Sequence, residues 1–229
     1  MPADFQNKVV LVTGAGSGIG REAARGFANG GALVYCADLN ERGLGETQGL
    51  IRSGGGKAQV VRADVSAEDD VAALLVQIDK EAGRLDVAFN NAGILGGTHR
   101  IEDYPTADFD NVLRVNLRSI FLCMKYELPL MKRSGGGAIC NTASVAALTG
   151  PGGMCAYAAS KHGIHGLTRV ASMENGANKI RVNTVAPGWT ETPMVAAASA
   201  QNPAFAKQAV STLPARRGAQ PGEVAAAAV

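Results

Sequence analysis

Little in this sequence is extreme, and each thing it lacks removes a class of function. Lys and Arg total 22 against 20 Asp and Glu, a net charge of +2, and no basic cluster is longer than Arg216-Arg217. A chain that tracks nucleic acid needs a basic stripe to neutralise phosphates, so no nucleic-acid partner is expected. No apolar run approaches the roughly 20 residues that span a bilayer. No early segment joins a basic start to a long apolar stretch and a cleavage site, and no membrane association is expected. The four cysteines, Cys36, Cys123, Cys140 and Cys155, lie far apart inside apolar patterns, without metal-ligand spacing. They read as reduced core thiols of a cytoplasmic protein, and no metal site is expected. Charged residues make up only 18% of the chain and hydrophobic ones 46%, which excludes disorder as the general state. At 229 residues the chain suits one large α/β domain, expected to span 1–229, better than two small ones. No internal repeat is evident.

What is present is organised around Val9 to Gly20, V-V-L-V-T-G-A-G-S-G-I-G. Four consecutive apolar residues make a buried strand that stops at Thr13. Without Cβ atoms, Gly14, Gly18 and Gly20 let the chain turn tightly, let a ligand approach the backbone and let the next helix pack close to the strand. Ile19 opens a helical pattern through Ala23, Ala24 and Phe27, so unpaired N–H groups at the helix start point back at the loop and form an anion site. Asp38 ends the next apolar run, 32–37, and a carboxylate there can accept both ribose hydroxyls of an adenosine, which makes a dinucleotide pyrophosphate the expected anion.

The rest of the chain alternates strand and helix. A polar helix is predicted over 41–53, a strand over 58–62 and, after Asp64-Val65, a helix that Ser66 and Asp69 cap and that Val71, Leu74, Leu75 and Ile78 define at i, i+3, i+4, i+7. A strand over 87–89 runs into Asn90-Asn91-Ala92-Gly93. One long helix is predicted from about 107 to 126 or beyond. Its apolar stripe, Phe109, Val112, Leu113, Leu117, Ile120, Phe121 and Met124, is interrupted by a single amide, Asn116, and a buried amide needs partners. Strands over 138–141 and 181–185 flank a helix over 156–173. Residues 189–219, rich in Ala and Pro, have the profile of a lid or an extra helical hairpin over the substrate. Such alternation implies a three-layer doubly wound α/β fold with a mainly parallel sheet, whose ligands bind beyond the carboxyl ends of the strands.

Tyr157 and Lys161 are four residues apart in a helical pattern and leave one helix face. A phenol titrates near ~10, too high for acid/base work near neutrality, and a nearby ammonium is expected to stabilise the phenolate and lower it. Ser144, at the end of the fifth strand, is placed to donate to the same substrate oxygen. His162 and His165 flank this helix and are read as surface or packing residues.

Thr13-Gly14-x-x-x-Gly18-Ile19-Gly20, Asp64, Asn90-Asn91-Ala92-Gly93, Asn116, Ser144, Tyr157-x-x-x-Lys161 and Pro187-Gly188 occur in the order and approximate spacing of the short-chain dehydrogenase/reductase family, which the chain resembles from about Lys8 onward. The resemblance implies a Rossmann-fold oxidoreductase that moves a hydride between a nicotinamide cofactor, NAD(H), and a small-molecule secondary alcohol or ketone. It implies Tyr157 as general acid/base, Lys161 lowering its pKa and holding the nicotinamide ribose, Ser144 orienting the carbonyl, and Asn116 anchoring a relay water. It implies, too, that Gly14, Gly16, Ser17, Gly18, Ile19 and Gly20 hold the pyrophosphate. Asp64 and Val65 then meet the adenine, Asn91, Ala92 and Gly93 the neighbouring ribose region, and Pro187, Thr190 and Thr192 the nicotinamide end. Asp38 without a basic residue in the loop favours NAD over NADP. A homo-oligomer, tetramer or dimer, is implied as well.

Two departures from the family pattern stand out. Lys179 sits where many relatives have glycine, a change expected to be harmless at a turn. The chain stops at Ala228-Val229, inside a helix beginning near Glu223, whereas the family continues through a seventh strand. The sheet is therefore expected to lack that strand, and the natural protein is expected to be longer. Two other readings use less of the sequence. A non-catalytic NAD sensor or scaffold has no need of Ser144, Tyr157, Lys161 and Asn116, and a methyltransferase leaves the Tyr-Lys pair unexplained. The loops at 94–104, 145–156 and 189–219, with Ile94, Leu95, Val145, Leu148, Met154, Trp189 and Met194, favour a hydrophobic substrate.

Overall fold

In the computed structural model of the protein, residues 4–201 and 203–229 are described. Residue 202, inside the proposed lid, lies outside the described residues. Six strands form one parallel sheet in the order β3-β2-β1-β4-β5-β6: β1 Val9–Thr13, β2 Leu33–Asp38, β3 Lys57–Arg62, β4 Val87–Asn90, β5 Gly137–Thr142 and β6 Ile180–Val185. The order reverses between β1 and β4, so the crevice of the fold opens there. Every strand boundary falls within two residues of its expected place.

The side-chain alternation of β1 divides the core. Val9 and Leu11 face one side, where they pack with Leu74 and Ile78 of α3 (Glu68–Ala82), Ile120 and Met131 of α5 (Ser119–Arg133) and Ile164 of α6 (Cys155–Asn175). Val10 and Val12 face the other, against Phe27 of α1 (Gly18–Asn29), Leu44 and Ile51 of α2 (Glu41–Ser53) and Ala225 of the last helix. A strand buried on both faces reads as a continuous apolar run, which is why Val9–Val12 carries no polar residue.

Three differences from the sequence expectations have physical causes. The predicted long helix is α4 (Thr106–Leu113), a π-helical turn over Arg114–Arg118, and then α5, which runs on through Pro129 to Arg133. The wider turn carries Asn116 inward while Phe121, predicted in the buried stripe, stands 48% exposed. Ser66 does not cap α3. Its hydroxyl donates to Asp64 Oδ1 at 2.6 Å, and Ala67 occupies the N-cap without a side-chain bond. Lys179 has φ 58° and ψ 31°, a left-handed conformation that explains the glycine many relatives carry there.

After β6 come α7 (Pro193–Gln201) and α8 (Pro203–Thr212). Their flanks are tied together, Glu191 N donating to Ala219 O and Ala219 N to Trp189 O, both at 2.9 Å, so the segment leaves and re-enters the fold at one point. The last helix, α9 (Pro221–Ala228), starts with a reciprocal capping box between Gln220 and Glu223 and packs on α1, with Val229 beside Gly26. Among the described residues β6 pairs only with β5 and forms the sheet edge.

The left-handed Lys179 gives a direct test of local strain. Lys179→Gly relieves the Cβ penalty but adds freedom to the unfolded chain, and the net gain is expected to be up to about 1 kcal/mol in urea unfolding. A loss of stability would show that the Lys179 side chain contributes more than its backbone costs.

Candidate active site

The glycine loop is built by sterics. Gly14 has φ 66°, and a Cβ there would lie 2.9 Å from the Ala92 Cα, while a Cβ on Gly20 would overlap the Gly14 carbonyl. Only glycine allows the loop after β1 and the segment after β4 to come this close. Thr13 fixes the approach, its hydroxyl accepting from Asn91 N at 3.0 Å and Ala92 N at 3.2 Å. Ser17 is the N-cap of α1 and makes no side-chain cap bond, which leaves the first amides of the helix facing the cleft. From beneath, Arg21 braces the loop by donating to Gly16 O at 2.5 Å, Thr47 Oγ1 at 3.0 Å and Glu46 Oε2 at 2.9 Å.

A cleft of about 390 Å³ runs over the strand ends. Its walls include Gly14, Ser17, Gly18, Ile19, Asp38, Asp64, Val65, Asn91, Ala92, Gly93, Ser144, Tyr157, Lys161, Pro187, Thr190 and Thr192, all named from sequence. Three further predicted residues stand behind the wall. Gly16 donates its N–H to Asp38 Oδ2 at 2.9 Å, Gly20 packs under Gly14, and Asn116 is fully buried. The Asn116 amide accepts from Ile94 N and donates to Ile94 O, both at 2.8 Å, and also donates to Ser160 Oγ at 3.2 Å.

At the adenosine end the carboxylates are fixed. Asp38 also accepts from Asn40 N at 2.9 Å, so both its oxygens are held by backbone and turned toward the cleft mouth beside exposed Leu39. Burial alone would raise Asp64, but the hydroxyl and amide of Ser66 and the nearby Arg114 outweigh it and hold the carboxyl below its usual range. Arg114 pairs with Asp64 at 3.5 Å, donates to Ser66 Oγ, and also lines the cleft. Sequence reasoning missed Arg114 because the π turn that swings it there has no compositional signal. It missed Arg21 and Thr142 as well.

At the other end Lys161 is 4% exposed and donates from Nζ to Thr142 O at 2.8 Å, 5.6 Å from the Tyr157 ring centre. Burial pulls the Lys161 ammonium down to about 8. Burial raises Tyr157, and a hydrogen bond from Ser144 opposes the rise only in part. Tyr157 is therefore raised where Lys161 was expected to lower it, because Lys161 is turned to a backbone carbonyl and desolvation pushes both groups toward neutrality. Ser144 is buried, and its Oγ accepts from Ala146 N at 3.1 Å. His162 is exposed and contacts Ala158 O at 2.9 Å, and His165 contacts Thr184 at 3.3 Å, away from the cleft.

Among the described residues no cluster of His, Cys, Asp and Glu is arranged to hold a metal, and no helix is long and apolar enough to cross a membrane. All four cysteines are free, and burial pushes Cys36 up to about 12 and Cys140 to about 11.

The arrangement matches known proteins. The family described as Enoyl-(Acyl carrier protein) reductase matches residues 14–229. Cyclohexanol dehydrogenase of Acinetobacter sp. (strain SE19) is 41% identical over 196 residues, covering 86% of this chain and 78% of that protein. The chain belongs to the short-chain dehydrogenase/reductase family. A 2,5-dichloro-2,5-cyclohexadiene-1,4-diol dehydrogenase of Sphingobium indicum (strain B90A) is 39% identical over 228 residues, covering 99% of the chain and 90% of that protein. Among solved structures, NAD+-bound xylitol dehydrogenase superposes with a TM-score of 0.93 at 31% identity, covering 99% of this chain and 92% of that one. A putative NAD(P)-dependent gluconate 5-dehydrogenase from Beutenbergia cavernae, with NADP bound at low occupancy, gives 0.92 at 34% identity, covering 100% and 90%. Membership makes the chain an oxidoreductase with a nicotinamide-binding cleft, and no finding favours the sensor or methyltransferase readings.

Proposed function

We propose that the chain is a single catalytic domain that oxidises an alicyclic secondary alcohol, or reduces the corresponding ketone, with NAD(H). The observation that carries the reading is the buried Ser144 and Lys161 with the half-buried Tyr157 at one end of a cleft whose other end has a helix N-terminus and a carboxylate. The fit to a dinucleotide is physical: the uncapped amides of α1 suit a pyrophosphate, and Asp38, fixed by two backbone amides, suits a ribose diol. The bound nicotinamide supplies the hydride acceptor or donor. The chain's own residues do the rest. Ser144 holds the substrate oxygen, and Tyr157 takes the hydroxyl proton in oxidation or returns it in reduction. Lys161, released from Thr142 O toward the ribose and the phenolate, stabilises the charged phenol. Asn116 fixes the Ile94 segment beside Lys161, and we assign it the relay-water role.

Substrate class rests on two relatives that act on six-membered rings by name and on the apolar mouth, where Ile94 and Met194 line the cleft and Val145 and Leu148 stand exposed beside Ser144. We take α7 and α8 as the lid and the free thiols as those of a cytoplasmic protein. The apolar groove of Leu113, Leu117, Phe121 and Leu167, smoothed by Gly163 and Gly166, supports a homo-oligomer, a tetramer or dimer, and sedimentation velocity showing only monomer would refute it.

Two measurements test the chemistry. Tyr157→Phe should lose nearly all turnover of cyclohexanol-type substrates, with NADH affinity kept within about threefold, because the hydroxyl belongs to the proton step. In the wild type with cofactor bound, kcat/KM for oxidation should rise with pH as Tyr157 becomes the phenolate that the Lys161 ammonium stabilises, with an apparent pKa below the free phenol's ~10. A Tyr157→Phe enzyme with wild-type rates, or a flat profile with a full deuterium isotope effect, would sink the mechanism.

Cofactor choice is tested separately. A 2′-phosphate would meet the Asp38 carboxylate and forfeit its hydrogen bonds, a loss on the order of 1–3 kcal/mol, so NAD should be preferred by roughly 10- to 100-fold in kcat/KM. Equal efficiency with NADP would contradict the role given to Asp38.

A further inference from the structure

The paired ends of β4 and β5 rest on a polar cluster that the reaction does not use. Asn90 and Asn141 are in register across the two strands, and Asn90 Nδ2 donates to Asn141 Oδ1 at 3.0 Å. Glu127 of α5 comes up beneath them and accepts from the same Asn90 Nδ2 at 3.1 Å. Asn141 Nδ2 donates to Thr168 Oγ1 of α6 at 3.0 Å. Glu127, Asn90 and Asn141 have no solvent exposure at all. Two buried acceptors, Glu127 Oε1 and Asn90 Oδ1, meet no donor.

A carboxylate in this position would be expensive: it has one hydrogen bond, and no ion pair of the described residues includes it. A carboxylic acid would not be, because the neutral form carries no buried charge and still accepts from Asn90 Nδ2. The groups that face the cluster are uncharged: Asn90 from β4, Asn141 from β5, Thr168 from α6 and, on the same helix, Cys123, whose thiol is held well above its ordinary value by burial and by Glu127. Burial pushes Glu127 itself up to about 8, with the Asn90 bond pulling weakly the other way.

The residues that follow these asparagines form the cleft. Asn91 and Ala92 are stapled to Thr13, Thr142 O holds Lys161, and Thr142 Oγ1 donates to Asn91 Oδ1 at 3.4 Å. We propose that Glu127 is a positioning residue for dinucleotide binding: as a neutral acid it braces the ends of β4 and β5 through Asn90, and its ionisation loosens the cradle above them. The inference rests on the dinucleotide reading given above. Because the folded protein holds a proton on Glu127 that the unfolded chain releases near ~4.3, this group's contribution to stability is whole below that pH. It falls as pH climbs toward about 8 and is level beyond.

The test compares wild type, Glu127→Gln and Glu127→Leu as full chains, by NADH binding followed through fluorescence and by urea unfolding, from pH 5 to 9.5. Glu127→Gln should gain stability relative to wild type progressively up to about pH 8. The wild-type Kd for NADH should weaken between pH 7 and 9.5 by a factor of about three to ten more than that of Glu127→Gln. Lys161 titrates in the same window in both proteins, so the ratio of the two profiles isolates Glu127. Glu127→Leu, which leaves the Asn90 amide with Asn141 as its one acceptor, should bind NADH about tenfold more weakly at pH 7, with the glutamine variant near wild type. Superimposable wild-type and glutamine profiles would overturn the proposal, as would a leucine variant that loses stability but keeps its Kd. If the leucine variant does not fold, the glutamine comparison decides alone. Wild type that binds neither NADH nor NADPH would instead refute the dinucleotide reading, and this inference with it.

Discussion

The ligand end of this molecule depends on how closely two stretches of backbone can approach, the turn at Gly14 after β1 and the segment at Ala92 after β4. A parallel sheet brings all its carboxyl ends to one side, and the reversal of strand order between β1 and β4 leaves a crevice there. The crevice binds a flat, extended ligand only if its floor is backbone and its walls are close. Side chains at 14 or 20 would push the floor apart, and the Thr13 hydroxyl, accepting two amides from the facing segment, holds it together. The position of α1, and with it the direction in which its free amides point, follows from that contact.

At the closed end the controlling quantity is desolvation. Lys161 is buried and Tyr157 half-buried, and desolvation disfavours the charged form of each, moving the lysine down and the tyrosine up. Two groups whose ordinary values lie close together are thus drawn apart, each toward its neutral form. Thr142 O gives the Lys161 ammonium a hydrogen bond at 2.8 Å and so ties α6 to the end of β5.

Much of this was legible because the features that build the fold act locally. Apolar strand runs, glycines after β1 and the four-residue spacing of Tyr157 and Lys161 need no tertiary information, and the strands were read from them, whereas Asp64, Val65, Asn91, Pro187, Thr190 and Thr192 came from the family resemblance. What was missed depends on partners. The π turn at Arg114–Arg118 adds no characteristic residue, yet it decides that Arg114 reaches the cleft and that Phe121 does not stay buried. Ser66 has the composition of a cap, but Asp64 takes its hydroxyl. Glu127 was readable in principle, since Ile120, Met124, Glu127 and Met131 fall on one helical face, where a carboxylate among apolar residues marks a buried acid.

The same logic explains why the single amide in the apolar stripe is an asparagine. Where the chain leaves β4 at Asn90 it loses its ladder partners, and the Ile94 N–H and C=O are left within the protein with no strand beside them. One primary amide presents a donor and an acceptor at the spacing of a peptide group, so Asn116 satisfies both at 2.8 Å, as a neighbouring strand would. Leucine would leave two buried polar groups unmet, and aspartate would supply no donor for the carbonyl. The wide π turn brings that amide in far enough to reach. A local break in helical regularity therefore stands in for a missing strand and ties the segment beside Lys161 to the helix.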